Sequence, residues 1–205
     1  MRKGRFFVIE GVDGSGKSTQ ADNFTRMLRR NGIDAVLTEE PWYEDSIGKQ
    51  IKNGLFDGKS LSAATIQLLF VANRSNHVEK VIDPALELGK TVVCSRYWMS
   101  TAVYGSAFCN GTKFDMKYFM GINSVFTKPD AVFFMDVAPE TAYKRLERHG
   151  KKLDRFEKLE FIKIQDRKYN ELKRLYRGLW INIDGQKDAE LVTKKMFDKY
   201  RRIFG

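Results

Sequence analysis

The stretch Gly11-Val12-Asp13-Gly14-Ser15-Gly16-Lys17-Ser18 constrains this chain more than any other, because it matches the pattern G-x-x-x-x-G-K-[S/T] in its proper setting. It follows the apolar run Phe6–Glu10, which reads as a strand. It opens the run Lys17–Asn31, which reads as a helix with Ala21, Phe24 and Leu28 on one face and Gly32 as its stop signal. Glycines let the backbone wrap a phosphate so that its N–H groups converge on the oxygens, and the helix amino terminus adds partial positive charge. Lys17 then reaches the β- and γ-phosphates, and the hydroxyl of Ser18 ligates Mg²⁺. The pattern implies a nucleoside triphosphate held by residues from Gly11 to Thr19. A carboxylate inside such a loop, Asp13, is an odd neighbour for phosphates.

Apolar runs alternate with helical patterns along the rest of the chain. Ala35–Thr38, Thr91–Cys94, Ala131–Asp136 (held between Pro129 and Pro139) and Trp180–Ile183 read as further strands. A long helix is predicted over about 62–81, with Pro84 restarting the chain into Gly89. Other helical patterns lie beyond Arg96, from Glu140, from about Asp154 and at the carboxyl end. This order predicts one α/β domain over residues 1–205, a P-loop NTPase fold with a five-stranded parallel sheet and helices on both faces. Ligands belong at the carboxyl ends of such strands. No apolar run exceeds five residues, so no membrane span is expected, and the amino terminus lacks the pattern of a secretory signal. Cys94 and Cys109 fit neither a disulfide framework nor a metal-ligand spacing. The expectation is a cytoplasmic protein with no membrane partner.

The net charge of +10 is unevenly spread. Residues 1–143 hold 17 basic and 16 acidic side chains, and residues 144–205 hold 19 and 10. Such an asymmetry fits nucleic acid, a membrane surface, an anionic small substrate, or solvated faces of amphipathic helices. Arg145, Arg148, Lys151, Lys152 and Arg155 flank Gly150, a basic segment suited to a lid at about 145–157. A guanine-reading Asn-Lys-x-Asp loop is absent, which argues against a GTPase, and a nucleic-acid motor usually needs more chain. His77 reads as a helix-surface residue and His149 as a lid residue.

From Phe6 to about Ile183 the chain resembles the thymidylate kinases. The resemblance rests on FFVIEGVDGSGKSTQ, on Leu69-Phe70-Val71-Ala72-Asn73-Arg74, on Ser95-Arg96-Tyr97 with Ser100, Thr101 and Tyr104, on Lys128–Val137, and on Arg148–Gly150 with Leu153–Glu157. It implies transfer of phosphate from ATP to dTMP with Mg²⁺, in a homodimer, with no nucleic-acid partner. Lys17, Arg96 and Arg155 are then expected to be catalytic, with Arg155 as the lid arginine and Arg148 as second choice, also on ATP. The dTMP site is expected from Asp13 (on the 3′-hydroxyl), Glu40, Pro41, Lys52, Phe70, Arg74, Arg96 (on the α-phosphate), Thr101 and Tyr104. Phe70 and Arg74, four apart, share one helical face, where a ring stacks on a pyrimidine and a guanidinium donates to its carbonyl.

The chain departs from the family at several positions. Ser95 stands where an aspartate usually helps to position the metal, and Glu10 or Asp136 is a candidate substitute for that charge. Glu39-Glu40-Pro41-Trp42 replaces the usual Arg-Glu-Pro-Gly, Lys52 replaces an arginine, and Gly105 replaces a glutamine. These departures leave open a kinase for another pyrimidine nucleotide or nucleoside. A binding module without catalysis, or a nucleic-acid-binding ATPase using the basic carboxyl-terminal third, are the alternatives from other classes.

Overall fold

A computed structural model of the chain describes residues 4–56, 61–109, 112–148 and 158–205. The strands are β1 (Phe6–Glu10), β2 (Ala35–Glu39), β3 (Thr91–Ser95), β4 (Ala131–Asp136) and β5 (Trp180–Asp184). They form one parallel sheet in the order β2-β3-β1-β4-β5. The P-loop α/β expectation holds. The order places β1 at the centre, where the chain crosses from one side of the sheet to the other. Ligands sit at such a switch point.

Both sheet faces are covered, which is why β1, β3 and most of β4 are apolar without alternation. Phe7, Ile9, Val93, Phe133 and Ile183 point to one face. There they pack on Phe24 and Leu28 of α1 (Lys17–Arg30) and on Met196 and Tyr200 of α9 (Ala189–Phe204). Phe6, Val8, Cys94, Val132 and Phe134 point to the other. That face carries α4 (Asp83–Glu87), α5 (Trp98–Phe108), α7 (Pro139–Arg148) and α8 (Leu159–Leu175), with α3 (Ala63–His77) packed on α5.

Three elements differ from the sequence expectation. The long helix does not stop for Pro84. A π-helical turn, Val78–Ile82, joins α3 to α4, and the Asp83 N–H donates to the Val78 carbonyl five residues back. A regular helix would bring the proline ring against the carbonyl four residues earlier, and the wider turn avoids this. Helices α2 (Ser46–Phe56) and α6 (Met116–Ile122) are not expected from the sequence, since α2 carries Gly48 and Gly54 and α6 spans only seven residues. Each has an aspartate before it: Asp45 Oδ1 accepts the Gly48 N–H at 2.6 Å, and Asp115 Oδ1 accepts the Tyr118 N–H at 2.8 Å.

Glu10 fixes the start of α5 against the sheet. Its buried carboxylate accepts the N–H of Tyr97 (2.9 Å) and of Ser100 (3.1 Å), the Ser100 hydroxyl (2.8 Å) and the Tyr169 hydroxyl (2.7 Å). Burial pushes its carboxyl above the usual range despite these bonds. Every oxygen is engaged, so Glu10 does not substitute for an aspartate at position 95. Glu10→Leu would strand these buried donors and is expected to lower stability by about 3 kcal/mol or more in urea unfolding. Glu10→Gln, which keeps one acceptor, is expected to cost about 1–2 kcal/mol.

Candidate active site

The phosphate loop joins β1 to α1. Gly14 and Gly16 take φ of +78° and +91°, where a side chain is strained, and a Cβ on Gly14 would also collide with the Ala142 carbonyl. Lys17 is 4% exposed and its ammonium donates to the carbonyls of Gly11 (2.9 Å) and Val12 (2.7 Å). Burial, and then the neighbouring Arg96 guanidinium, push Lys17 down to about 7, against the pull of Asp13 and Glu10. A cleft of about 430 Å³ opens over this loop, lined by residues 14–20, Arg96, Arg145, Lys187 and Val192. Ser15 Oγ is buried at its edge with no hydrogen-bond partner among the described residues. A phosphate oxygen would satisfy that hydroxyl.

Asp13 lines a second cleft and is bonded to Arg96, which lines both. Its carboxylate accepts from Arg96 Nη2 and from the Tyr104 hydroxyl, and from Gln165 Nε2 at 2.9 Å. Its own N–H donates to Gln165 Oε1 at 2.9 Å, and the Lys17 ammonium stands 3.6 Å away. Burial alone would raise the Asp13 carboxyl, but Arg96, Lys17 and these bonds hold it well below the usual range. Arg96 adopts φ +66°, unlike any other non-glycine among the described residues. The left-handed turn lets it leave the end of β3 and reach Asp13 and Tyr104, the latter at 3.2 Å.

The second cleft, about 230 Å³, is lined by Asp13, Glu40, Pro41, Tyr43, Ile66, Gln67, Phe70, Asn73, Arg74, Arg96, Tyr97, Ser100, Thr101 and Tyr104. Phe70 is half-buried in its wall and belongs to neither core cluster. Arg74 is 2% exposed. It donates through Nε (2.8 Å) and Nη2 to Glu40, through Nη1 to Asn123 (2.6 Å), and through Nη2 to Thr101 Oγ1 (3.0 Å). The other Glu40 oxygen meets His77 Nδ1 at 3.2 Å, and His77 Nε2 meets Thr38 Oγ1 at 2.6 Å. His77 is therefore no surface residue. It is fully buried and stacked on Trp42, because Glu40 gives an imidazole at that position a partner.

Most of the residues singled out by sequence converge on these two clefts, and a few do not. Lys52 is exposed on α2 over the Tyr43 ring (5.9 Å) and lines neither cleft. Arg148 ends α7 exposed and outside the phosphate cleft, whereas Arg145, one turn earlier, lines it and donates to the Gly185 carbonyl at 2.8 Å. Arg155 and His149 lie outside the described residues. Asp136 is exposed at the end of β4, where its charge acts on Asp166 and Lys173 rather than on the phosphate loop. Gln67, Tyr43, Asn73 and Gln165 were not foreseen. Asn73 carried a signal, sitting inside the Phe70–Arg74 motif. Gln165 carried none, since it is 152 residues from its partner Asp13.

The hydroxyls of Ser18 and Ser95 stand 3.4 Å apart at the start of α1, and both line, with Glu39, a separate cleft beside the end of β2. Hard oxygen donors of this kind, few in number and next to a phosphate cradle, fit Mg²⁺. Among the described residues no cluster of three or more His, Cys, Asp or Glu side chains forms a fuller metal cage.

The sequence pattern of thymidylate kinase matches residues 9–196. The chain is 32% identical to a probable thymidylate kinase of Thermococcus kodakarensis, over 98% of each chain. It is 35% identical to the thymidylate kinase of Caldicellulosiruptor saccharolyticus, over 98% of this chain and 96% of that one. The solved thymidylate kinase of Candida albicans superposes with a TM-score of 0.81 over 98% of this chain and 92% of that chain, at 24% identity, and so shares the fold. With a match running from the end of β1 into α9, this chain belongs to the thymidylate kinase family.

Proposed function

We propose that the chain transfers the γ-phosphoryl group of ATP to dTMP, with the two substrates meeting at Arg96. The observation that carries this reading is that Arg96 lines both clefts, the one over the phosphate loop and the one walled by Phe70 and Arg74. ATP enters the first, with its phosphates on the loop N–H groups, the Ser15 hydroxyl and Lys17. The Lys17 ammonium exchanges its two carbonyl partners for phosphate oxygens.

dTMP enters the second cleft. Its ring lies against Phe70, and a base carbonyl takes the remaining N–H of Arg74, whose described bonds use four of its five donors. Tyr104 lies under the sugar, Thr101 faces the ring, and Glu40 with Pro41 holds the Arg74 side. Asp13 holds Arg96 and Tyr104 in place and offers its remaining acceptor capacity to the 3′-hydroxyl. An oxygen of the dTMP phosphate, oriented by the Arg96 fork, attacks the γ-phosphorus in line as the bond to the β-bridging oxygen breaks. When bound, Mg²⁺ neutralises charge on the β- and γ-phosphates, and Ser18, with Ser95 beside it, holds it. Arg155 supplies the further positive charge that the transferring phosphoryl group needs. A homodimer in the cytoplasm is part of the same proposal and rests on the family.

Initial rates over dTMP, dUMP, dCMP, UMP, CMP, AMP and GMP test the acceptor. The highest kcat/KM is expected for dTMP, and a preference for any other acceptor would sink the reading. Arg155→Ala is expected to lower kcat about 100-fold or more, and Arg148→Ala less than tenfold. Equal losses for the two would remove Arg155 from its role.

Lys17 adds a pH dependence. With its free-site value at about 7, it is mostly neutral at pH 8, and phosphate oxygens favour its charged form. ATP binding at pH 8 is therefore expected to take up close to one proton and to weaken further as pH rises. Titration calorimetry in buffers of different ionisation enthalpy measures the uptake, and no uptake at pH 8 would contradict the assignment.

A further inference from the structure

Among the described residues two buried side-chain polar atoms have no hydrogen-bond partner, Ser15 Oγ and Gln67 Oε1. The first belongs to the phosphate cradle. The second sits in the wall of the acceptor cleft on α3, with Gln67 only 3% exposed. Leaving a buried amide oxygen unsatisfied is costly, and such a group in a binding cleft points to a ligand donor.

Its place on the helix says which part of the ligand it meets. Gln67, Phe70 and Arg74 all line the cleft. Seven residues separate Gln67 from Arg74, so the two lie nearly in line along α3, about 10 Å apart along its axis, with Phe70 between them. A ring resting on Phe70 thus has both a fixed cation and an unpartnered acceptor on the helix beside it.

Several other side-chain acceptors of the cleft already hold a partner. Glu40 is bonded by Arg74 and His77, and Asp13 by Arg96, Tyr104 and Gln165. Asn73 Oδ1 takes the Trp42 N–H, and Thr101 Oγ1 takes Arg74 Nη2. A pyrimidine with two carbonyls also carries one ring N–H, at N3, and that donor needs a partner when it is buried. Arg74 supplies the carbonyl with a donor but has no acceptor for the N–H.

We propose that Gln67 is a base-selecting residue of the acceptor site, its Oε1 accepting the ring N–H of a pyrimidine that carries two carbonyls. The proposal rests on the reading of this cleft as the dTMP site. Arg74 and Gln67 then read opposite hydrogen-bonding characters on one base, donor to carbonyl and acceptor to N–H. Cytosine, with a bare N3 and an exocyclic amine, offers the reverse pattern.

The test uses the full chain and the isosteric variant Gln67→Met, with dTMP and N3-methyl-dTMP as acceptors. Gln67→Met is expected to raise the KM and the Kd for dTMP about tenfold, the worth of one buried hydrogen bond, with the effect falling on KM rather than kcat. The native preference for dTMP over its N3-methyl analogue is expected to shrink by the same factor. An unchanged KM and preference, with a raised Tm from removal of an unsatisfied amide, would overturn the proposal. If Gln67→Met does not fold, the imino proton of ¹⁵N-labelled dTMP bound to the native enzyme decides. Protection from solvent exchange supports the hydrogen bond, and free exchange overturns it. Should the native enzyme not phosphorylate dTMP at all, the acceptor assignment fails first, and the panel of nucleotides shows that separately.

Discussion

The carboxylate of Asp13 is the point on which this active site turns. It lies inside the phosphate loop, yet its partners come from the end of β3 (Arg96), from α5 (Tyr104) and from α8 (Gln165), with Lys17 of α1 close by. A buried charge is tolerated only when paired and fully bonded, so these elements cannot shift independently of one another. The same demand explains the backbone of Arg96. Its left-handed turn costs about 1–2 kcal/mol for a residue with a side chain. It is sustained because it brings the guanidinium back over the loop, between the two clefts.

A second buried ion pair, Glu40 with Arg74, organises the far end of the acceptor cleft. Here the partners again lie on different elements, the loop after β2 and α3. Asn123 and His77 satisfy what the pair leaves open. Asn73 fixes the following loop by exchanging two 2.8 Å bonds with the Trp42 backbone, and it shares Asp45 with Asn76. Polar side chains are thus used here as fasteners. Against this satisfied background the free oxygen of Gln67 and the free hydroxyl of Ser15 stand out, one in each cleft.

What the sequence disclosed follows from the range of the forces involved. The five strands and α1 were legible because their signals are local: a continuous apolar run, glycine at the stop, a phosphate loop between them. Helices α2 and α6 were not, since one is glycine-interrupted and the other spans only seven residues, and their aspartate caps resemble ordinary loop residues. Phe70, Arg74, Arg96, Thr101 and Tyr104 were legible through a family pattern that clusters on two helices and one strand end. Gln165 and the burial of His77 were not, because each depends on a partner far away in the chain. Arg148 was favoured over Arg145 by its neighbours in sequence. The two are three residues apart and share a helix face, so it is the earlier position of Arg145 along α7 that brings it to the phosphate cleft, while Arg148 is exposed at the helix end.

Charge balance links the acceptor cleft to the basic carboxyl-terminal third. Asp13 and Glu40 face Arg96 and Arg74 across it, two anions against two cations. A nucleoside monophosphate adds about two negative charges at neutral pH, and a triphosphate brings more. Fixed cations in excess would repel one another when buried, and at Lys17 the Arg96 charge adds to the larger effect of burial in pushing the ammonium down. Lys17, pushed down by its buried setting, regains its charge most readily when phosphate oxygens stand beside it. The acceptor cleft is thus balanced in charge, whereas the phosphate cleft is lined by Lys17, Arg96, Arg145 and Lys187 with no acidic side chain among its described lining, a field that suits the more highly charged triphosphate.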